Sequence, residues 1–89
     1  MSNSNRRALH SRLYECLGQL VAARRKRLGM SQEELAEKSE VDRSFISKVE
    51  RGQRSPSFAL VSDLARGLHM SYCRLVQNCE RCIKQDKSA

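Results

Sequence analysis

Apolar residues recur at helical spacing in five stretches of the chain, each bounded by residues that start or stop helices. Leu13, Leu17, Leu20, Val21 and Leu28 predict a first helix from about His10 to Leu28, with Gly29 just beyond its end. Ser31 followed three residues later by Glu34 is a capping box. It opens a second helix over about 31–39, whose buried side is Leu35 and Ala36. Ser39-Glu40-Val41 breaks that pattern. Asp42 then stands as the N-cap of a third helix, about 42–51, with Ile46 and Val49 as its apolar side and Gly52 closing it. Gln53-Arg54-Ser55-Pro56 is a loop. Ser57 caps a fourth helix, about 58–68, carrying Phe58, Leu60, Val61, Leu64, Ala65 and Leu68. Ser71 caps a fifth, about 72–84, with Tyr72, Leu75, Val76, Cys79 and Ile83 in a stripe and Cys82 alongside. No strand pattern and no internal repeat appears. The expected fold is all-α, five helices around one core. Residues 1–8 are expected to be a flexible basic arm, 9–84 one domain, and 85–89 a disordered tail.

Two charges break the patterning. Arg25 falls four residues after Val21 and three before Leu28, on the apolar face of the first helix. Glu50 falls four after Ile46, on the apolar face of the third. A buried charge without a partner costs several kcal/mol. Either the two pair with each other, fixing the first helix against the third, or both side chains reach out to solvent.

The formal net charge of +7 changes the picture from a fold to a class of partner. A sequence pI near 9.8 suits a polyanion such as nucleic acid, although a solvated basic surface would give the same balance. At 89 residues the chain can bury one modest core, which leaves a partner chain a role in its full stability. No apolar run approaches the roughly 18 residues of a membrane span, and the N-terminus has no signal-peptide core. The expectation is a cytoplasmic protein with no membrane association, whose four cysteines are reduced thiols.

Read with that charge, the second and third helices gain a purpose. Arg43, Ser44, Ser47 and Lys48 lie between the apolar positions of the third helix and give it a polar, basic outer face. Helix, short turn, then a helix with such a face is how a recognition helix is placed in the major groove.

The string SQEELAEKS…DRSFISKVERGQRSPS resembles the lambda-repressor-like helix-turn-helix family, also called XRE or Cro/cI, over about residues 15–68. The resemblance implies a compact five-helix bundle and sequence-specific binding of operator DNA as a dimer. It also implies residue roles. Gln32 would donate to a phosphate and brace the recognition helix. Arg43, Ser44, Ser47 and Lys48 would face base edges or the adjoining backbone, and Arg51 and Arg54 would hold phosphates. A buried ion pair at the Arg25 and Glu50 positions is common in the family. Two positions depart from its pattern: Glu40 stands where glycine is usual, and Ser39 where an apolar residue is usual. A left-handed residue other than glycine costs roughly 1 kcal/mol.

At the DNA, Arg43 enters the groove first and could bond guanine O6 and N7, or a phosphate instead. Phe45 either packs on the turn or offers its ring to a thymine methyl or the backbone. Arg6 and Arg7 could thread a minor groove or remain solvated. Arg24, Lys26 and Arg27 extend the charge of the first helix, and Lys26 and Arg27 read as surface charge, with a phosphate contact as the alternative. One recognition helix spans few base pairs, so two copies on a palindrome are expected, with Tyr72, Leu75, Val76, Cys79 and Ile83 facing the mate. The alternative is that this stripe packs on the first helix. Cys79-x-x-Cys82 permits packing thiols, metal binding or redox sensing, and packing is favoured because both lie on the apolar stripe. No metal, cofactor or catalytic residue is assigned, since no carboxylate cluster, nucleophile–His pair or phosphate loop appears. The expected function is a sequence-specific double-stranded DNA-binding transcriptional regulator, a dimeric repressor or controller. Small single-domain family members include restriction–modification controllers and phage or mobile-element repressors. The alternative is an antitoxin or accessory factor that holds a further, unknown protein partner and autoregulates through DNA binding.

Overall fold

A computed structural model describes residues 3–85 of the chain. They form five helices: α1 (Asn3–Arg27), α2 (Gln32–Ser39), α3 (Arg43–Glu50), α4 (Phe58–Gly67) and α5 (Tyr72–Gln85). Among the described residues there is no strand, and no helix is long and apolar enough to cross a membrane.

The helix starts follow from local chemistry. Ser31 Oγ accepts from the Glu34 N–H at 3.0 Å while the Glu34 carboxylate accepts from the Ser31 N–H at 3.0 Å, so two donors at the end of α2 are satisfied reciprocally. Ser57 Oγ accepts from the Leu60 N–H, and Ser71 Oγ from the Arg74 N–H. Asp42 holds the N-cap position of α3, but its side chain makes no cap bond, contrary to the capping role expected of it.

Helix α1 begins at Asn3, well before His10. Residues 3–8, expected as a flexible arm, are therefore helical, and Arg6 and Arg7 stand exposed on that helix. Residues 5–9 are all exposed, so this turn and a half has no buried face and leaves no apolar periodicity to read. The expected tail from 85 onward lies outside the described residues apart from Gln85, which ends α5.

Val21 of α1, Leu35 of α2, Ile46 and Val49 of α3, Leu64 of α4 and Leu75 of α5 converge with Leu68 in a single core, each at most 1% exposed. Burying an aliphatic side chain of this size contributes roughly 1.5–3 kcal/mol. α1 packs on both α3 and α5, and α2 on α3 and α4. Gly18 makes the first of these crossings possible: a Cβ there would stand 2.7 Å from the Glu50 carbonyl oxygen and closer still to that of Val49. No side chain fits between α1 and the end of α3.

α1 and α5 run antiparallel, and a disulfide joins Cys16 to Cys82 across them, with Cα atoms 5.9 Å apart. This corrects the expectation of four reduced thiols. Cys82 stands beside the apolar stripe of α5, facing α1, and Cys16 is fully buried opposite it. Cys73 (exposed) and Cys79 (buried) are free. Phe58 is another departure. Placed in the apolar set of α4 by its spacing, it is 72% exposed and packs its ring on Tyr72, centroids 4.4 Å apart.

Candidate nucleic-acid interface

The α2–α3 turn rests on Glu40, whose backbone is left-handed (φ 59°, ψ 40°). The Val41 N–H reaches back to the Ala36 carbonyl at 3.0 Å and the Glu40 N–H to that of Glu37 at 3.2 Å, closing the end of α2. Glu40 thus adopts the conformation that glycine takes most readily, at a cost of roughly 1 kcal/mol. Ser39, the second departure, is fully buried, and its Oγ has no hydrogen-bond partner.

α3 presents two faces. Ile46 and Val49 enter the core. Arg43, Ser44, Lys48 and Arg51 are exposed on the other side and Ser47 is half-buried among them. Their spacing, 43, 44, 47, 48 and 51, places them on one helical face. Glu40 and Asp42 are exposed beside the start of this helix, so the surface mixes signs and is not a uniform basic patch.

The inner side of α3 is held by a polar network at its C-terminal end. Arg25 Nε donates to Glu50 Oε2 at 2.6 Å and its NH2 to Oε1 at 3.0 Å, a two-pronged pair. The two side chains are 11% and 8% exposed. Arg25 NH1 donates to the Met30 carbonyl oxygen at 2.8 Å, and Gln32 Nε2 donates to Glu50 Oε1 at 2.9 Å. The Glu50 carboxylate thereby ties α1 and the start of α2 to α3, and Arg25 adds the α1–α2 connection through Met30. Burial pushes the Glu50 carboxyl upward, but hydrogen bonds from Arg25 and Gln32, with the Arg25 charge, outweigh it and leave its pKa below the ordinary carboxylate value. Donating to the Glu50 carboxylate raises the Arg25 pKa, against the opposing effect of burial.

Gln32 is half-buried, and its amide is already engaged on Glu50. Arg54 is exposed, its guanidinium carbon 5.9 Å from the centre of the Phe45 ring. Phe45 itself is half-buried against the core, next to Val41. Sequence reasoning did not find Gly18, which sets the α1–α3 approach, because its signal lies only in what it excludes.

The stripe of α5 expected to meet a second copy is divided. Leu75 (1% exposed) is spent in the chain's own core, and Cys79 (5%) is largely buried but still lines the groove on this face. Tyr72 and Ile83 are half-buried and Val76 is exposed. These three share an open apolar groove with Leu13, Tyr14 and Val61. The expected stripe is wider than one contact, so α1 covers part of it and the rest remains open.

A helix-turn-helix family model matches residues 21–75, a span that contains α2, α3 and α4 whole. An uncharacterised HTH-type transcriptional regulator of Methanothermobacter thermautotrophicus is 47% identical over 49 residues, covering 55% of this chain and 71% of that regulator. The crystal structure of the restriction-modification controller protein C.AhdI from Aeromonas hydrophila is similar with a TM-score of 0.67 and 39% identity, over 70% of this chain and 94% of that one. The controller C.Esp1396I, solved as a tetramer in complex with its natural 35 base-pair operator, is similar with a TM-score of 0.73 and 30% identity, over 80% of this chain and 93% of that one. The family is one of DNA-binding transcription regulators and not an enzyme family. With the matched span covering more than half of its length, the chain belongs to the lambda-repressor-like (XRE) helix-turn-helix transcriptional regulators.

Proposed function

We propose that this regulator acts as a homodimer on a palindromic operator, with α3 of each copy in the major groove. The observation that carries the reading is the two-sidedness of α3. Its inner face is locked to α1 through Arg25 and Glu50, and its outer face leaves Arg43, Ser44 and Lys48 exposed. Arg43, at the N-terminal end of α3, reads a base edge. Ser44, Ser47 and Lys48 serve bases or the adjoining backbone. Arg51, Arg54 and the start of α2 at Gln32 hold phosphates. Gln32 keeps an amide hydrogen for that purpose, since the Glu50 bond uses one of two.

The second copy docks on the groove between α1 and α5. Tyr72, Val76 and Ile83 contribute from α5 and Leu13 from α1, with Phe58 at the edge. Exposed large apolar side chains concentrated in one place mark an association surface. Leu75, sealed in the core, takes no part, while Cys79 lines the groove with little of its surface.

Selection of bound sites from random duplex DNA, with sedimentation of the free protein, tests both halves. The expected outcome is a two-fold symmetric motif with half-site centres about one DNA turn apart, and a dimer at tens of micromolar. An asymmetric single half-site, or a monomer at that concentration, would overturn the dimeric reading.

A further inference from the structure

A second concave surface lies on a different side of α1. Arg24 and Arg25 are consecutive, and their side chains leave the helix about 100° apart. Arg25 goes to α3. Arg24 goes to the α4–α5 turn, where its Nε donates to the Leu68 carbonyl oxygen at 3.0 Å and its NH2 to that of His69 at 3.2 Å. These bonds fix the guanidinium and leave its remaining N–H groups available. Arg24 borders an open pocket of about 560 Å³ between α1 and the start of α5. Arg27 and Arg74 line the same pocket, and no Asp or Glu does. Among the described residues, no ion pair engages any of these three arginines.

The floor is apolar, made by Leu20, Ala23 and Met70. One wall is the first turn of α5, where the Ser71 hydroxyl accepts the Arg74 N–H and the preceding N–H groups have no acceptor within the helix. The positive end of the helix dipole therefore adds to the three guanidinium charges. None of the residues assigned to DNA lines this pocket, which is separate from the groove beside α3.

We infer that this pocket is a binding site for a phosphate ester, its phosphate held by Arg24, Arg27 and Arg74 and its organic body lying on Leu20, Ala23 and Met70. The chemistry follows from the parts. Three guanidinium groups in one concavity, without a carboxylate partner among the described residues, repel one another, and a dianion relieves that repulsion. Arginine matches phosphate oxygens two at a time, and Arg24 is already oriented. A pocket of several hundred Å³ exceeds what a bare phosphate needs, and its apolar floor gives the rest of an ester a surface. The same phosphate chemistry could come from the DNA backbone beyond the operator, so the test must separate the two sources.

The probe is pyrophosphate, titrated into the DNA-free protein at constant ionic strength while backbone amide and arginine side-chain NMR signals are followed. The expected result is saturable movement of the Tyr72–Arg74 amides and of the Arg24, Arg27 and Arg74 side-chain signals, with the α3 amides unmoved. Arg74→Gln and Arg27→Gln should each weaken this binding by at least about tenfold, since each removes a charged donor pair. Both positions are exposed, and circular dichroism melting would establish that the variants remain folded. Movement that does not saturate, that chloride reproduces at equal ionic strength, or that both variants retain would overturn the site. Operator binding is then compared on a minimal duplex and on one extended at both ends. Equal behaviour of Arg74→Gln and the parent on both supports a small phosphate ester as ligand. A loss confined to the extended duplex would overturn that source in favour of backbone phosphate. Because the titration contains no DNA, its result stands apart from the proposed operator reading.

Discussion

Ser39 and Gly67 occupy adjoining space in the core, and a Cβ added to Gly67 would collide with the Ser39 Oγ and stand 3.0 Å from Leu35 Cδ1. Gly67 ends α4 where it crosses the last residue of α2, so the helix-turn-helix is seated on α4 through the smallest possible contact. Gly67→Ala should therefore destabilise the fold, by about 1–3 kcal/mol, as overpacking does. Ser39→Ala should act in the opposite direction. It removes a buried hydroxyl that has no partner and should leave stability unchanged or raise it by up to about 1 kcal/mol. Urea melts of the two single variants measure both. A Gly67→Ala protein as stable as the parent would show that the contact yields easily.

Removing Arg25 strands the Glu50 carboxylate in a nearly closed site. Arg25→Ala should cost about 3 kcal/mol or more, whereas replacing both partners with apolar residues of similar volume should recover much of that loss. A single variant melting within about 1 kcal/mol of the parent would contradict the structural weight given to the pair. The depressed Glu50 carboxyl also gives an acid limb. Its contribution is complete above the ordinary carboxyl value of 4.5 and is lost as the pH falls through the lower value of the folded state. Glu50→Gln should flatten that part of the stability–pH curve.

Burial pushes the Cys79 thiol up to about 11, so at neutral pH it is protonated as well as covered. Alkylation of the native, unreduced protein should modify Cys73 and spare Cys79. Denaturation without reductant should expose Cys79 as a second site, and reduction should add Cys16 and Cys82. Mass spectrometry distinguishes these stages directly. Rapid native labelling of Cys79 would place α5 less firmly on the core.

Arg43 opens α3 and Arg51 is the C-cap residue just past its other end, both exposed. Arg43→Ala should flatten preference at one base pair in each half-site, worth roughly 1–3 kcal/mol of discrimination. Arg51→Ala should weaken all duplexes alike. If a dimer neutralises about eight phosphates, log K against log salt should fall with a slope near −7, made shallower by Arg51→Ala. An unchanged selected motif for Arg43→Ala would remove it as the base reader.

The local chemistry of the site was legible from sequence wherever it was periodic or capped. The Ser31–Glu34 box, the Ile46 and Val49 face and the misplaced charges at Arg25 and Glu50 each break or continue a pattern within a few residues. What stayed hidden depended on contacts distant in the chain. Cys16 and Cys82 are 66 residues apart, and nothing local joins them. Gly18 and Gly67 act through absent side chains, so only their neighbours reveal them. Residues 5–9 of α1 bury nothing and leave no periodic trace. The α5 stripe was visible, but its division between core and surface is set by where α1 crosses it.

The Cys16–Cys82 bond has a topological consequence. It closes residues 16–82 into a covalent ring that contains the whole of α2, α3 and α4. A protease cutting once in the exposed segment at 53–55 would open that ring without dividing the molecule. The nicked protein would migrate as one species until reductant is added, and then as two. The helix proposed to enter DNA and the stripe proposed to recruit a second copy fall on opposite sides of such a cut, yet remain tethered through α1.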